Sequence, residues 1–179
     1  MRGAARLLGV TALAGCTIAP AMAGSSSDGT MSVLPPPGFG TLLQREISIS
    51  LVSQDLSIMV TPLDEAVTHL TAPDTYQLLT GMADSHRKTD TTQDALFLVS
   101  FYSARPDVRF LPEELQLISR GLRVRAETIT PVTPTWGQNR VRQQQTEMAV
   151  YAFGGEVDLS SDLVLAYGLE QTREWSTII

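Results

Sequence analysis

Alternating apolar and polar residues predict short β-strands along most of the chain. The period of two is clearest in segments 47–51, 56–60 and 122–126, where every second residue is apolar. Segments 95–102 and 148–153 are apolar on both faces, which is typical of central strands covered on two sides. Further strands are predicted at 108–111, 115–118, 163–167 and 175–179.

One region has helical rather than strand periodicity. Thr61 precedes Pro62 and Asp64, which is a cap residue followed by proline and a carboxylate in the first turn. A similar signal recurs around Pro73, and apolar residues then fall on one helical face. We therefore expect two short helices, at about 62–70 and 73–86, interrupted at Pro73 because proline disfavours a continuous helix.

The order of these elements predicts the fold class. About eight strands with turn residues between them, and no repeated strand–helix–strand units, favour a mainly β antiparallel fold. An immunoglobulin-like β-sandwich with a small two-helix insert at about 62–86 is our first expectation, in architecture only, since the Cys–Trp–Cys hallmark of antibody domains is absent. A β-barrel is the alternative.

The first residues have the layout of an export signal. Arg2 and Arg6 precede a short apolar run that ends in the motif Leu13-Ala14-Gly15-Cys16. This motif resembles the lipobox of bacterial lipoproteins. The resemblance covers about sixteen residues and implies that Cys16 receives a diacylglycerol, that the chain is cut before it, and that the new amino group is acylated. It implies attachment to a membrane through the lipid.

An ordinary secretory signal is the alternative. Cleavage after Ala21-Met22-Ala23 would discard Cys16 and release a soluble secreted or periplasmic protein. With the lipobox, the expected organisation is a signal peptide at 1–15, a flexible Ser-, Gly- and Pro-rich tether at 16–44 and a folded domain at 45–179. In the lipoprotein family the residue after the cysteine influences sorting. Thr17 is not the Asp that marks inner-membrane retention, which favours the outer membrane or periplasmic face.

Composition excludes several classes of protein. The chain has 179 residues, 43% of them hydrophobic, which suits one globular domain. Its single cysteine cannot form an internal disulfide, and no apolar run is long enough for a membrane-spanning helix. A sequence pI of about 4.8 argues against nucleic acid as a partner. Cleavage before Cys16 changes the formal net charge from −6 to −8 by removing two arginines.

No motif for a cofactor or a known catalytic group is present, and we expect no cofactor. The best metal candidates are the clustered oxygen and imidazole ligands Asp84, His86, Asp90 and Asp94. We expect this cluster to be a solvated polar loop after a helix rather than a metal site. Adjacent carboxylates, such as Glu113 and Glu114, are candidates for acid–base chemistry only if they share a cleft with separated pKa values.

Two features are candidates for binding a partner. Arginines concentrate between 120 and 142, where Arg123 and Arg125 share one strand face and Arg140 and Arg142 extend it if their strand lies alongside. Such a face can meet an envelope protein or a polyanionic surface, or it can simply be solvated. Trp136 lies in a predicted loop, where it either contacts a partner or covers one end of the fold.

The sequence thus predicts a lipid-anchored cell-envelope protein with a non-enzymatic partner-binding or structural domain. The alternative is an envelope hydrolase whose site is built from scattered carboxylates.

Overall fold

The computed structural model describes residues 35–88, 94–172 and 175. These contain ten strands and two α-helices. The strands are β1 (Ile49–Ser53), β2 (Leu56–Pro62), β3 (Ala95–Ser103), β4 (Val108–Arg109), β5 (Leu115–Ser119), β6 (Leu122–Pro131), β7 (Arg140–Val141), β8 (Gln145–Phe153), β9 (Leu163–Tyr167) and β10 (Glu170–Thr172). The helices are α1 (Glu65–Thr68) and α2 (Pro73–Arg87).

Eight strands form one antiparallel sheet that nearly closes on itself. Their order is β1-β2-β3-β8-β6-β5-β9-β10, and the terminal strands β1 and β10 lie beside each other. The remaining strands, β4 and β7, pair in a small sheet of their own. The mainly β antiparallel fold with a two-helix insert is therefore confirmed. Of the two architectures weighed, this continuous sheet has the barrel-like form.

The alternating pattern places two apolar layers on opposite faces of β3 and β8. Inward residues such as Phe97, Phe101 and Tyr151 fill the interior of the sheet. Outward residues such as Leu98 and Val150 pack against the buried face of the helices. The helical insert therefore covers the outside of the two strands that the sequence predicts to be apolar on both faces, and this explains their composition.

The helix boundaries differ from the prediction at the first helix. Thr61 and Pro62 pair with β3, so they end β2 rather than begin a helix. Asp64 is the cap instead, and its carboxylate accepts a 2.8 Å hydrogen bond from the amide of Ala66. Helix α1 is consequently only one turn long. Helix α2 agrees with the prediction to within one residue and has Pro73 in its first turn.

The folded part begins before residue 45. The amide of Leu42 donates to the carbonyl of Leu70, and the amide of Ala72 donates back to the carbonyl of Leu42. Gly40 approaches the same backbone so closely that a Cβ there would lie 2.0 Å from the oxygen of Leu70. The last residues of the segment predicted as a tether therefore pack on the α1–α2 connection.

Several remaining predictions fall wholly or partly on residues outside the described ranges. The signal peptide and the earlier part of the tether lie outside them, as do the last four residues of the strand predicted at 175–179. Trp175 itself is in a turn and is buried, with its ring edge-on to Phe97. Strands β7 and β10, of two and three residues, are not in the prediction because such short pairings leave no clear period.

Candidate functional site: a groove at one end of the sheet

A wide concavity lies at one end of the sheet, and we call it the end groove. Its walls are the β1–β2 turn, strand β4, the short 3-10 helix before β5 and the β9–β10 turn. The lining residues that carry its chemistry are Asp55, Arg109, Leu111, Glu113, Glu114, Arg125, Tyr167, Leu169 and Glu170. Its volume of about 840 Å³ is within the range of protein pockets that hold ligands.

Negative charge predominates in the end groove. Four carboxylates line it, from Asp55, Glu113, Glu114 and Glu170, against the two guanidinium groups of Arg109 and Arg125. Asp55 forms an ion pair of 3.1 Å with Arg105. The carboxylate of Glu114 lies close to Gly168, at the tip of the opposite turn. The acidic groups therefore stand on both sides of the opening rather than on one wall.

Two tyrosines fix the wall that carries the glutamates. The amide of Leu111 donates a 2.9 Å hydrogen bond to the hydroxyl of Tyr167, and the hydroxyl of Tyr151 donates to the carbonyl of Pro112 at 3.1 Å. Burial, reinforced by the negative charge of Glu113, raises the pKa of Tyr151 above its ordinary range. Burial also raises the pKa of Tyr167. Both phenols therefore remain protonated at neutral pH, Tyr151 as the donor to Pro112 and Tyr167 as the acceptor from Leu111.

Trp136 closes the interior at the same end of the sheet. Its side chain is only 4% exposed and packs against the rings of Phe101 and Phe110. Of the two roles considered for Trp136, its burial supports covering the interior rather than contact with a partner. The loop that carries it is held by Glu147, which accepts hydrogen bonds from the hydroxyls of Thr133 and Thr135.

The arginines predicted to share a basic face have different surroundings. Arg125 lines the end groove and lies opposite Gln116, while Arg123 donates to the side chain of Gln116 at 3.4 Å. Arg140 forms an ion pair with Asp107, and its strand β7 pairs with β4 rather than with β6. Arg142 is exposed just beyond β7. The strand pairing thus does not extend the face of Arg123 and Arg125 as expected.

The metal candidates do not converge among the described residues. Asp84 is exposed on α2, whereas His86 is buried and its Nδ1 lies 3.1 Å from the hydroxyl of Thr130. Asp94 lines a separate shallow depression beside Asp64. Asp90 lies outside the described residues. No group of three or more His, Cys, Asp or Glu side chains in the described part of the chain is placed to hold a metal ion.

Other residues of this end were missed by sequence reasoning. Glu147 had a usable signal, because it continues the inward alternation of Ala149, Tyr151 and Phe153 and must therefore point into the core. No sequence signal points to Leu169 and Glu170, since only the three-dimensional placement of the β9–β10 turn brings them to Glu114. Glu113 and Glu114 were noted only as an adjacent carboxylate pair.

Comparisons with known proteins identify no family for this chain. Neither protein-family models nor curated proteins match the sequence, and no solved structure matches the fold. Within the described residues, neither helix has the length and apolar character needed to cross a bilayer. Cys16, the predicted lipidation site, lies outside the described residues.

Proposed function

We propose that this chain is a lipid-anchored cell-envelope protein whose barrel-like domain binds a partner at the end groove. The lipobox ending at Cys16 supports the anchoring and the envelope location. The observation that carries the binding role is the end groove itself, an acidic concavity with a fully exposed leucine at its edge. Apolar surface with a polar rim is typical of recognition surfaces.

The carboxylates of the end groove do not favour the hydrolase alternative over partner binding. The form of that alternative in which a histidine assists the carboxylates requires His69 or His86 in the same cleft. His69 ends α1 and His86 packs toward Thr130 of β6, and neither is among the residues that line the end groove. A partner-binding role requires no such convergence.

The anchor is tested by fractionating cells that express matched variants of the signal. Cys16→Ala is expected to leave the protein unprocessed or to shift it out of its normal membrane fraction. Ala23→Leu, which blocks the alternative cleavage site, is expected to change neither size nor fraction. The reverse pattern, in which Ala23→Leu blocks processing and Cys16→Ala is silent, would refute the anchor.

The binding role is tested by photocrosslinking in the cell. A photoreactive amino acid at Leu169 is expected to give a discrete adduct after illumination. The same amino acid at Leu122 is the control, because Leu122 is also exposed but lies at the far end of β5 and β6. Identical products from the two positions, or none from Leu169, would show that the end groove binds no partner.

A further inference from the structure

The acidic charge of the end groove exceeds the charge of the two arginines that line it, Arg109 and Arg125, neither of which forms an ion pair with a described residue. Glu113, Glu114 and Glu170 form no ion pair with any described residue, whereas the fourth carboxylate, Asp55, is paired with Arg105. Each unpaired carboxylate is carried by an element that the fold holds in place. Glu113 and Glu114 lie on the 3-10 helix fixed by Tyr151, and Glu170 begins β10. The backbone that carries them is therefore fixed before any partner arrives, which reduces the backbone entropy lost on binding.

Apolar surface lies directly beside this charge. Leu169 is 100% exposed in the turn between β9 and β10, and Leu111 is 37% exposed on the facing wall. Gly168 precedes Leu169 with a φ of 58°, a left-handed conformation that glycine adopts without strain and that shapes this turn. The end groove thus presents carboxylates and leucine side chains next to each other along one opening.

We propose that the occupant of the end groove is a segment of a partner protein that carries both basic and apolar residues. This rests on the proposed partner-binding function and specifies its chemistry. Lysine or arginine side chains pair with Glu113, Glu114 and Glu170, while the apolar side chains pack on Leu111 and Leu169. Charge complementarity of this kind selects the partner and speeds its association.

The inference is tested by fluorescence anisotropy. The probe is a dye-labelled pentapeptide, acetyl-Lys-Leu-Lys-Leu-Lys-amide, and the sample is the full chain in a non-ionic detergent. Detergent micelles without protein are the blank. Saturable binding that weakens as salt rises is expected, because exposed charge pairs are screened. Two comparison peptides replace lysine by glutamate or leucine by serine. Both are expected to bind more weakly, the first for lack of charge complementarity and the second for lack of apolar contact.

Matched variants locate the binding site. The triple change Glu113→Gln, Glu114→Gln and Glu170→Gln is expected to weaken binding about tenfold, the cumulative effect of three modest ion pairs. Its control removes the same charge at exposed sites away from the end groove, by Asp84→Asn, Glu156→Gln and Asp162→Asn. Leu169→Ala is expected to weaken binding, and Leu122→Ala is its control.

The outcomes separate this inference from the proposed function. Equal losses in the two triple variants would mean attraction by net charge alone and would overturn the inference. Preference for the glutamate peptide, or no binding by the lysine peptide, would overturn it as well. In each of these three cases a crosslink from Leu169 in cells would still uphold partner binding. Loss of that crosslink would refute the function itself.

Discussion

Glu147 accepts a 2.5 Å hydrogen bond from the hydroxyl of Thr135 although its own side chain is only 1% exposed. Thr133 donates a second bond of 2.5 Å to the other carboxylate oxygen and accepts one from the amide of Met148. A buried carboxylate is retained only when its lone pairs are satisfied. This arrangement attaches the loop with Trp136 to β8 and so closes the interior beneath the end groove.

Replacing Glu147 is therefore expected to destabilise the domain. Glu147→Ala removes two hydrogen bonds to a charged group and leaves a cavity, with an expected cost of about 3 kcal/mol. Glu147→Gln keeps one acceptor and should fall between Ala and wild type. Urea unfolding followed by circular dichroism measures the loss.

Glu170→Ala is the matched control for Glu147, because its side chain is exposed and changes of this kind alter stability by about 0.5 kcal/mol or less. Equal stability of Glu147→Ala and the wild type would show that the loop is held by other contacts.

Substitutions at two glycines test whether the segment before β1 packs on the α1–α2 connection. Gly40→Ala places a Cβ against the backbone of Leu70 and should cost about 1–3 kcal/mol through overpacking. Gly81→Ala lies in α2 with open space around it and should stabilise the protein by about 1 kcal/mol through helix propensity. Thermal unfolding of the two variants is expected to shift in opposite directions. A neutral Gly40→Ala would show that this contact contributes nothing to stability.

Because of the buried tyrosines behind the end groove, we expect the domain to be less stable at alkaline pH. Burial raises the pKa of Tyr151 and of Tyr167 above the ordinary value of 10.0. Above about pH 10 the unfolded chain releases these protons while the folded chain keeps them, so stability is complete below pH 10 and falls as pH rises. The slope from Tyr151 is about 1.4 kcal/mol per pH unit at most.

Urea unfolding at a series of pH values measures this slope. Tyr151→Phe is expected to reduce it, at the cost of the hydrogen bond to Pro112. Tyr102→Phe, on the outer face of β3, is the control and should keep the wild-type slope. Stability that stays constant well above pH 10 would contradict the prediction.

The fold was largely predictable because its signals are local. The alternation in 47–60 and the two-faced apolar runs of β3 and β8 report burial directly, since each side chain's direction follows from the period of two. The start of α1 was predicted wrongly at Thr61. A proline after a threonine suits a helix start, but tertiary pairing with β3 takes both residues into β2.

The site was much less predictable because it depends on contacts between distant parts of the chain. Asp55, Glu114 and Glu170 share the end groove, yet they come from a turn, a 3-10 helix and a strand that are far apart in the chain. Arg125 was selected as part of a basic face and instead lies in a mainly acidic lining. Only the closing of the sheet, with β10 beside β1, brings these residues together.

The central claim is lipid anchoring in the envelope. Its most direct test is mass spectrometry of the protein extracted from membranes. The account predicts that the mature chain begins at Cys16 and that this residue has the added mass of a diacylglycerol, with a further acyl chain on its amino group. An unmodified mature chain that begins at Gly24, after Ala21-Met22-Ala23, would contradict it.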